Sequence, residues 1–445
     1  MTKKEVLQIC QQENVQFINC QFCDLLGFIK SVTIPFSKFS DAIDEGVWFD
    51  GSSIEGFTRI FESDMFLKLD LKTFALIPWQ GSKSANEKVA RVICDVYLPN
   101  GQPFAGCPRQ ILKKQIEKTK KMGLQFFVGP ELEFFLFKKD QNGELTLQPN
   151  DAAGYFDFSN DRAGAIRAAM SKTVSAMGVD VETIHHEVAV GQHEIDFKYS
   201  DAISSADAVL TIKSALKAVA DDFNLHASFL PKPIAGINGS GMHVHQSLFK
   251  NKKNIFYDDK GVHNLSKIAR QFIAGQLSKI SEFTAVTNPL VNSYKRLTPG
   301  YEAPVYIAWG QTNRSAMIRI PKFRKGKEIA TRAELRCPDP SCNPYLAFAL
   351  MLASGLQGIK DNISVKDPID ENIFAFTDKK AKRMRIKSLP GSLAEAVENF
   401  EKSTFTRQVL GDHAFEKFLA AKKKEVEGYR LQISDWELEN YLEIY

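Results

Sequence analysis

The sequence is poor in the features that mark special compartments and macromolecular partners. Its 445 residues include seven cysteines, a sparse and odd number that excludes a disulfide-built fold and fits a reducing compartment. Cys20 and Cys23 form a lone CxxC without the second pair a zinc site needs, and Cys337 and Cys342, on either side of a Pro-Asp-Pro turn, read as packing residues. Charge of either sign is in little excess: 57 Lys and Arg are largely interspersed with 53 Asp and Glu for a net +4. Near-neutrality over a chain this long argues against a nucleic-acid binder, which concentrates basic charge in a stripe. No apolar run approaches the ~18 residues of a membrane span. The strongest, Tyr345 to Ala353, is about half that and reads as a buried core helix. The N-terminus, MTKKEVLQICQQENVQF, has Glu5, Gln8, Gln11 and Gln12 where a signal peptide needs unbroken apolar sequence. It reads as a short amphipathic helix, so a cytoplasmic protein with no membrane partner is expected. Internal repeats and low-complexity tracts are also missing.

What is present is an ordinary globular balance, 44% apolar and 25% charged, in a chain long enough for two or three domains. Residues 15–19, 28–34 and 89–97 have strand composition, and a Gly- and Pro-bearing link, 99–104, precedes a helix opened by Pro108. The chain then alternates strands, at 125–128, 133–137, 192–199, 227–230 and 242–248, with helices at 162–177 and 206–223. The last hundred residues read as mostly helical, with a charged segment at 379–387. The expected class is α+β, with an N-terminal domain over 1–102 and a second domain over 103–445.

Four segments carry chemistry. Glu131 and Glu133 are two apart, so in a strand they share one face while Leu132 and Phe134 share the other. Two like charges ~4 Å apart at an effective dielectric of ~20 repel by about 4 kcal/mol, so a cation is expected between them. A solvated strand edge is the bland alternative. Glu187 and Glu194 are seven apart, which puts them on opposite faces of one straight strand, and Gly191 supplies a turn that lets both reach one point. His243, His245 and Ser247 share a face after the Gly-rich approach Asn238-Gly239-Ser240-Gly241. Arg332, Glu334 and Arg336 alternate onto one face, either as part of a site or as a salt-bridged surface strand. Five carboxylates and one imidazole favour a hard divalent cation, Mg²⁺ or Mn²⁺, over structural zinc. Two such ions nearly neutralise the five carboxylates, whereas one leaves a large negative excess.

With these segments the chain resembles type I glutamine synthetase. The motifs are Asp50-Gly51-Ser52-Ser53, Gly129-Pro130-Glu131-Leu132-Glu133, His186-Glu187 through His193-Glu194, and Asn238 through His243. They continue with Asn288-Pro289 through Lys295-Arg296 to Gly300-Tyr301-Glu302-Ala303-Pro304, Asn313-Arg314-Ser315 to Pro321, and Arg332 to Arg336. The resemblance implies a β-grasp-like N-terminal domain and a catalytic domain built on an antiparallel sheet with helices. It also implies a homo-dodecamer of two hexameric rings with active sites between subunits.

The implied reaction joins L-glutamate and ammonia with ATP, through a γ-glutamyl phosphate, to give L-glutamine, ADP and phosphate. By resemblance Glu133, Glu187 and Glu194 hold one metal, and Glu131, His243 and Glu334 hold the other. Asn238, Gly239, Arg296, Glu302 and Arg336 bind the substrate. Glu182, His245, Ser247, Arg314, Arg319 and Arg332 face ATP. Arg314 stabilises the transferring phosphoryl group, Asp50 from a neighbouring subunit forms the ammonium site, and Glu302 accepts the proton. Pro299-Gly300 and Pro304 bound the Glu302 loop, which is expected to close and keep water from the acyl phosphate.

Family members regulated by adenylylation carry a tyrosine in a loop that corresponds here to Glu371-Asn372-Ile373-Phe374-Ala375-Phe376, where phenylalanine offers no hydroxyl. The chain therefore resembles the non-adenylylated, glutamine-feedback subgroup, with Arg59 as a regulatory residue and room for regulatory protein partners. A related γ-glutamyl ligase using a larger amine is the nearest rival, and the Asp50 motif favours ammonia. A catalytically dead relative would have lost ligands, whereas all six are present.

Overall fold

The computed structural model describes residues 1–445 apart from 53, 55–63, 82–86, 314, 374–375, 377–379, 381–382 and 385. Apolar residues at period two build the first sheet. Ile18, Cys20 and Phe22 of β1 (Val15–Cys23) face one core together with Val92, Cys94 and Val96 of β5 (Lys88–Tyr97). Between them in sequence come β2 (Ile29–Pro35), β3 (Val47–Asp50) and β4 (Asp64–Leu76), giving the order β2-β1-β5-β4-β3. The β1–β5 pair is parallel and the others are antiparallel. Helix α1 (Lys3–Gln12) closes this core with Val6 and Cys10, and its N-terminus is fixed by a capping box between Thr2 and Glu5. Helix α2 (Phe39–Glu45) adds Phe39 and Ala42.

Pro108 sits in the first turn of α3 (Pro108–Lys121), where its missing N–H costs nothing. We keep 102/103, inside the link between β5 and α3, as the proposed domain junction. The second sheet follows: β6 (Gln125–Lys139), β7 (Leu145–Pro149), β8 (Val181–His186), β9 (Gln192–Phe197), β10 (Ser200–Asp201), β11 (Leu225–Ser228), β12 (Met242–Lys250), β13 (Lys253–Asn254), β14 (Tyr306–Gly310), β15 (Ala316–Arg319) and β16 (Ala333–Leu335). Its main path is β14-β15-β16-β12-β6-β9-β8, antiparallel except for the β14–β15 pair. Helices α4 (Gly164–Ala176), α5 (Ala202–Asp222), α6 (Lys267–Thr287) and α8 (Pro344–Lys360) share its large core, and the short α7 (Ser293–Arg296) adds Tyr294. Leu132, Phe134 and Leu136 of β6 and Met242, Val244 and Leu248 of β12 point into that core. Each such fully buried side chain contributes about 1.5–3 kcal/mol. The alternate residues are thereby turned to the opposite face, where the acidic cluster lies.

Helix α8 is the expected core helix, with Leu346 through Leu352 fully buried. Helices α9 (Leu393–Glu401), α10 (Thr404–Leu410), α11 (Asp412–Arg430) and α12 (Asp435–Tyr441) complete the chain. No helix among the described residues is long and apolar enough to cross a membrane. The segment 379–387 lies partly outside the described residues.

One expectation needs correction, and one open alternative is closed. The strands expected on either side of Gly129-Pro130 are one fifteen-residue strand, β6. On one edge β6 pairs with β9 at 131–135 and with β10 at 127–128. Pro130 falls in the gap between them, where a missing N–H breaks no ladder bond. The segment around Glu334 is no surface strand: β16 lies inside the sheet between β15 and β12, and Glu334 is 1% exposed. Cys20, Cys23, Cys337 and Cys342 are free and buried.

Candidate active site

Strand register brings the acidic side chains together. Across β6 and β9, Glu133 stands opposite Glu194 and Glu131 opposite Asp196. Across β6 and β12, Glu131 stands opposite His243, and β12 sets His245 opposite Glu334 of β16. Gly191, at φ +65°, turns the chain between β8 and β9 and brings Glu187 back beside Glu194. All six sequence-predicted metal ligands line one cleft: Glu131, Glu133, Glu187, Glu194, His243 and Glu334. The Nδ1 atom of His243 lies 3.3 Å from Glu131, 3.9 Å from Glu133 and 3.9 Å from Glu334. Ligand atoms of Glu131, His243 and Glu334 lie within 4.8 Å of one another, and so do those of Glu133, Glu194 and His243.

The electrostatics differ across the cleft. Burial and the charge of Glu187 push the Glu133 carboxyl up to about 8, against the opposing pull of Arg296. Burial and the charge of Glu133 likewise raise Glu194. On the other side burial also favours the neutral acid, but His245 and the neighbouring His243 overcome it and hold Glu131 low. His245 and Arg336 do the same for Glu334. Burial and Arg336 keep His243 neutral, with a lone pair for a ligand. Burial and mutual repulsion thus favour the neutral acid at Glu133 and Glu194, a bias that a bound cation would oppose. That donor set, carboxylate oxygens with one neutral imidazole, fits hard divalent ions.

Glu131 is also in the wall of a second cleft, lined by Glu182, Thr183, Asp196, Tyr199, His245, Ser247 and Arg332. The Arg332 Nε donates to His245 Nδ1 at 3.0 Å, and a guanidinium can only donate. His245 therefore carries its proton on Nε2 and donates it to Glu131 Oε1 at 2.6 Å. This chain joins the two clefts through one carboxylate.

The remaining sequence-predicted residues divide. Asn238, Gly239, Arg296, Glu302 and Arg336 line the first cleft. Glu182, His245, Ser247 and Arg332 line the second. Arg319, expected beside them, lines the first cleft instead, because its Nε donates to Glu334 at 2.6 Å. Arg296 is 3% exposed and donates to the carbonyls of Arg336, Cys337 and Pro338, so it presents a fixed positive wall. Glu302 has φ +57°, a left-handed backbone that a non-glycine residue rarely keeps. Asp50 ends β3 and is exposed, accepting from Ser52 N at 2.8 Å, and it lines neither cleft. Arg59 and Arg314 lie outside the described residues, as do Phe374 and Ala375.

Sequence reading missed Gln192. Its Nε2 donates to Glu133 Oε2 at 3.0 Å and to the Gly239 carbonyl at 3.1 Å, tying a predicted ligand to the Gly-rich turn. It also missed Tyr199, whose only sequence signal was its closeness to Glu194, and Tyr155, which lies far from every candidate in sequence.

Comparison with known proteins agrees with this geometry. The family described as glutamine synthetase, catalytic domain, matches residues 105–441, and glutamine synthetase, beta-Grasp domain, matches residues 14–99. Relatives include the glutamine synthetase of Methanosarcina mazei, 52% identical over 442 residues, with 99% of this chain and 98% of that one covered. That of Thermus thermophilus is 51% identical, with 100% and 99% covered. Among solved structures, a GmaS/ADP complex aligns with a TM-score of 0.87 at 30% identity, covering 98% of this chain and 99% of that one. The Plasmodium falciparum glutamine synthetase aligns with the same TM-score at 25% identity, covering 99% of both chains. With both domains matched and half of all residues shared along the whole length, the chain belongs to the type I glutamine synthetase family.

Proposed function

We propose that the chain makes L-glutamine from L-glutamate and ammonia, with ATP activating the γ-carboxylate as γ-glutamyl phosphate. The observation that carries this reading is the pair of clefts meeting at Glu131, one acidic with arginines on its walls, the other flanked by Arg332 and His245. Glu133, Glu187 and Glu194 would hold one divalent ion, and Glu131, His243 and Glu334 a second. Mg²⁺ or Mn²⁺ bound there supplies charge that offsets repulsion between the two reacting anions.

The protein's own groups do the rest. Arg336 and Arg296 give the glutamate carboxylates a positive wall, beside Asn238 and Gly239. Glu182, His245, Ser247 and Arg332 receive the nucleotide. Arg319 serves the phosphates from the first cleft, and Arg314 completes the cationic surround of the transferring group. Glu302 takes the proton that ammonia loses on forming the amide, and Asp50 of a neighbouring copy attracts ammonium. We infer a cytoplasmic homo-dodecamer of two hexameric rings; a solution mass far from twelve chains would reject it. Arg59 is assigned to glutamine feedback, and adenylylation is not expected.

One coupled assay tests the reading. Phosphate release should require glutamate and ammonium together, and a divalent cation. ADP formation without glutamate, or a preference for a larger amine, would contradict it.

A further inference from the structure

Two irregular loops meet at the mouth of the first cleft. Residues 229–241 carry Asn238 and Gly239, and residues 297–305 carry Tyr301 and Glu302. Backbone bonds hold their ends, from Leu297 N to Ser293 O, Leu389 N to Val305 O and Glu133 N to Gly241 O, but the stretches between belong to no helix or strand, so side chains help to order them. Lys232 lies in the neck of the first loop, where Ser240 N donates to the Pro231 carbonyl at 2.8 Å. Its backbone is held on both sides by Asn292, whose Oδ1 accepts from Lys232 N at 2.7 Å and whose Nδ2 donates to Lys232 O at 2.9 Å.

The side chain is the unusual part. Lys232 is 8% exposed, and among the described residues it forms no ion pair. Its ammonium donates to the Ile237 carbonyl and lies 3.8 Å from the centre of the Tyr301 ring. A buried ammonium faced by a carbonyl and an aromatic face is costly unless both contacts are made. The next residue, Glu302, keeps a left-handed backbone at φ +57°, which persists only where the surroundings hold it. The Tyr301 ring, one residue away and packed under the Lys232 ammonium, is one side chain placed to help hold it.

We propose that Lys232 is a positioning residue for the amide-forming step, tying Tyr301, and with it Glu302, to the loop that carries Asn238 and Gly239. The proposal rests on the glutamine synthetase reading of the site. Lys232 touches no reacting atom; it acts through the Tyr301 ring. Without it the 297–305 loop loosens, and water competes with ammonia for the acyl phosphate. Attack by water breaks the acyl phosphate into glutamate and phosphate, so ATP is spent with no amide formed. The signature is therefore a loss of coupling rather than a loss of ATP turnover.

The test uses the full-length enzyme with Lys232→Met, Lys232→Arg, Tyr301→Leu and the Lys232→Met/Tyr301→Leu double variant. Phosphate and glutamine are measured together across ammonium concentrations. Hydrogen exchange of residues 298–305 is measured without any ligand. Lys232→Met should raise KM for ammonium about tenfold, the scale of one lost cation–ring contact in a desolvated site. It should release more than one phosphate per glutamine and speed exchange in the loop. Lys232→Arg, which keeps a cation over the ring, should restore coupling. The double variant should be no worse than the worse single one, because both remove the same contact. Should Lys232→Met fail to fold, Tyr301→Leu reads the contact from the other side and must itself raise the phosphate-to-glutamine ratio. The proposal is overturned if Lys232→Met keeps one phosphate per glutamine with unchanged loop exchange, or if the two substitutions add independently. A wild-type protein that makes no glutamine would instead sink the functional reading, which separates the two failures.

Discussion

Single residues show how far a one-dimensional pattern reaches into this site. Glu131, Glu133, His243 and Glu334 were legible because period-two alternation fixes which side chains share a face. Gln192 was not, since nothing in its neighbourhood says that its amide spans Glu133 and a carbonyl 47 residues away at Gly239. The contact between Lys232 and Tyr301 was silent for the same reason, as it depends on the path of two irregular loops. Gln192 is 1% exposed, so Gln192→Leu removes one of the two donors to Glu133 Oε2, where Gly241 N remains at 2.9 Å, and orphans the buried Ala189 N that donates to Gln192 Oε1, at a cost of about 1–3 kcal/mol. Divalent-ion affinity should weaken about 10–100-fold, as loss of an outer partner of a ligand generally does. Calorimetric titration with Mn²⁺ checks this, and unchanged affinity would mean that Glu133 needs no such support.

At the scale of elements, the turn between β8 and β9 decides whether Glu187 and Glu194 can act together. The sequence named Gly191 as the turn, and the backbone gives it φ +65°. A Cβ there would also lie 2.8 Å from the Pro149 side chain and 3.1 Å from the Leu136 carbonyl. Gly191→Ala is therefore strained both in its backbone and against its neighbours. It should destabilise the fold by about 1–3 kcal/mol and lower activity well beyond that loss, because the two carboxylates lose their alignment. Thermal melting and turnover measured on one preparation separate the two effects; full activity in a destabilised variant would show the alignment to be tolerant. Strand extent was harder to read. Pro130 looked like a break because its tolerance depends on a gap between β9 and β10 that only the sheet order reveals. Glu334 was equally compatible with a surface strand, since an Arg-Glu-Arg alternation does not say which face is covered.

For the whole molecule, the junction between the two sheets rests on a cluster absent from any local motif. Arg109 of α3 donates to both oxygens of Asp207, at 3.0 and 2.9 Å, to Asp95 of β5 at 3.2 Å and to Asp70 of β4 at 2.8 Å. Tyr345 of α8 adds a 2.6 Å bond to Asp207. The α+β class and its two-part organisation were visible in composition and strand spacing, but this joint was not, because its partners come from five separate elements. Arg109→Leu strands buried carboxylates and should cost about 3–5 kcal/mol at neutral pH. Asp70 is exposed to burial that favours its neutral form, but Arg109 overcomes this and holds it low. Its share of the stability is present above about pH 4 and is lost as pH falls through its depressed folded value. The gap between wild type and Arg109→Leu should therefore narrow below about pH 4 in urea melts; a gap independent of pH would exclude Asp70 from the joint. The central claim concerns the acidic cleft, and Mn²⁺ binding to the full-length protein in the presence of ADP, followed by electron paramagnetic resonance, tests it most directly. Wild type should take up two ions per chain, and Glu194→Gln should lose one of them. Wild type that binds no ion, or Glu194→Gln that still binds both with unchanged affinity, would contradict the account.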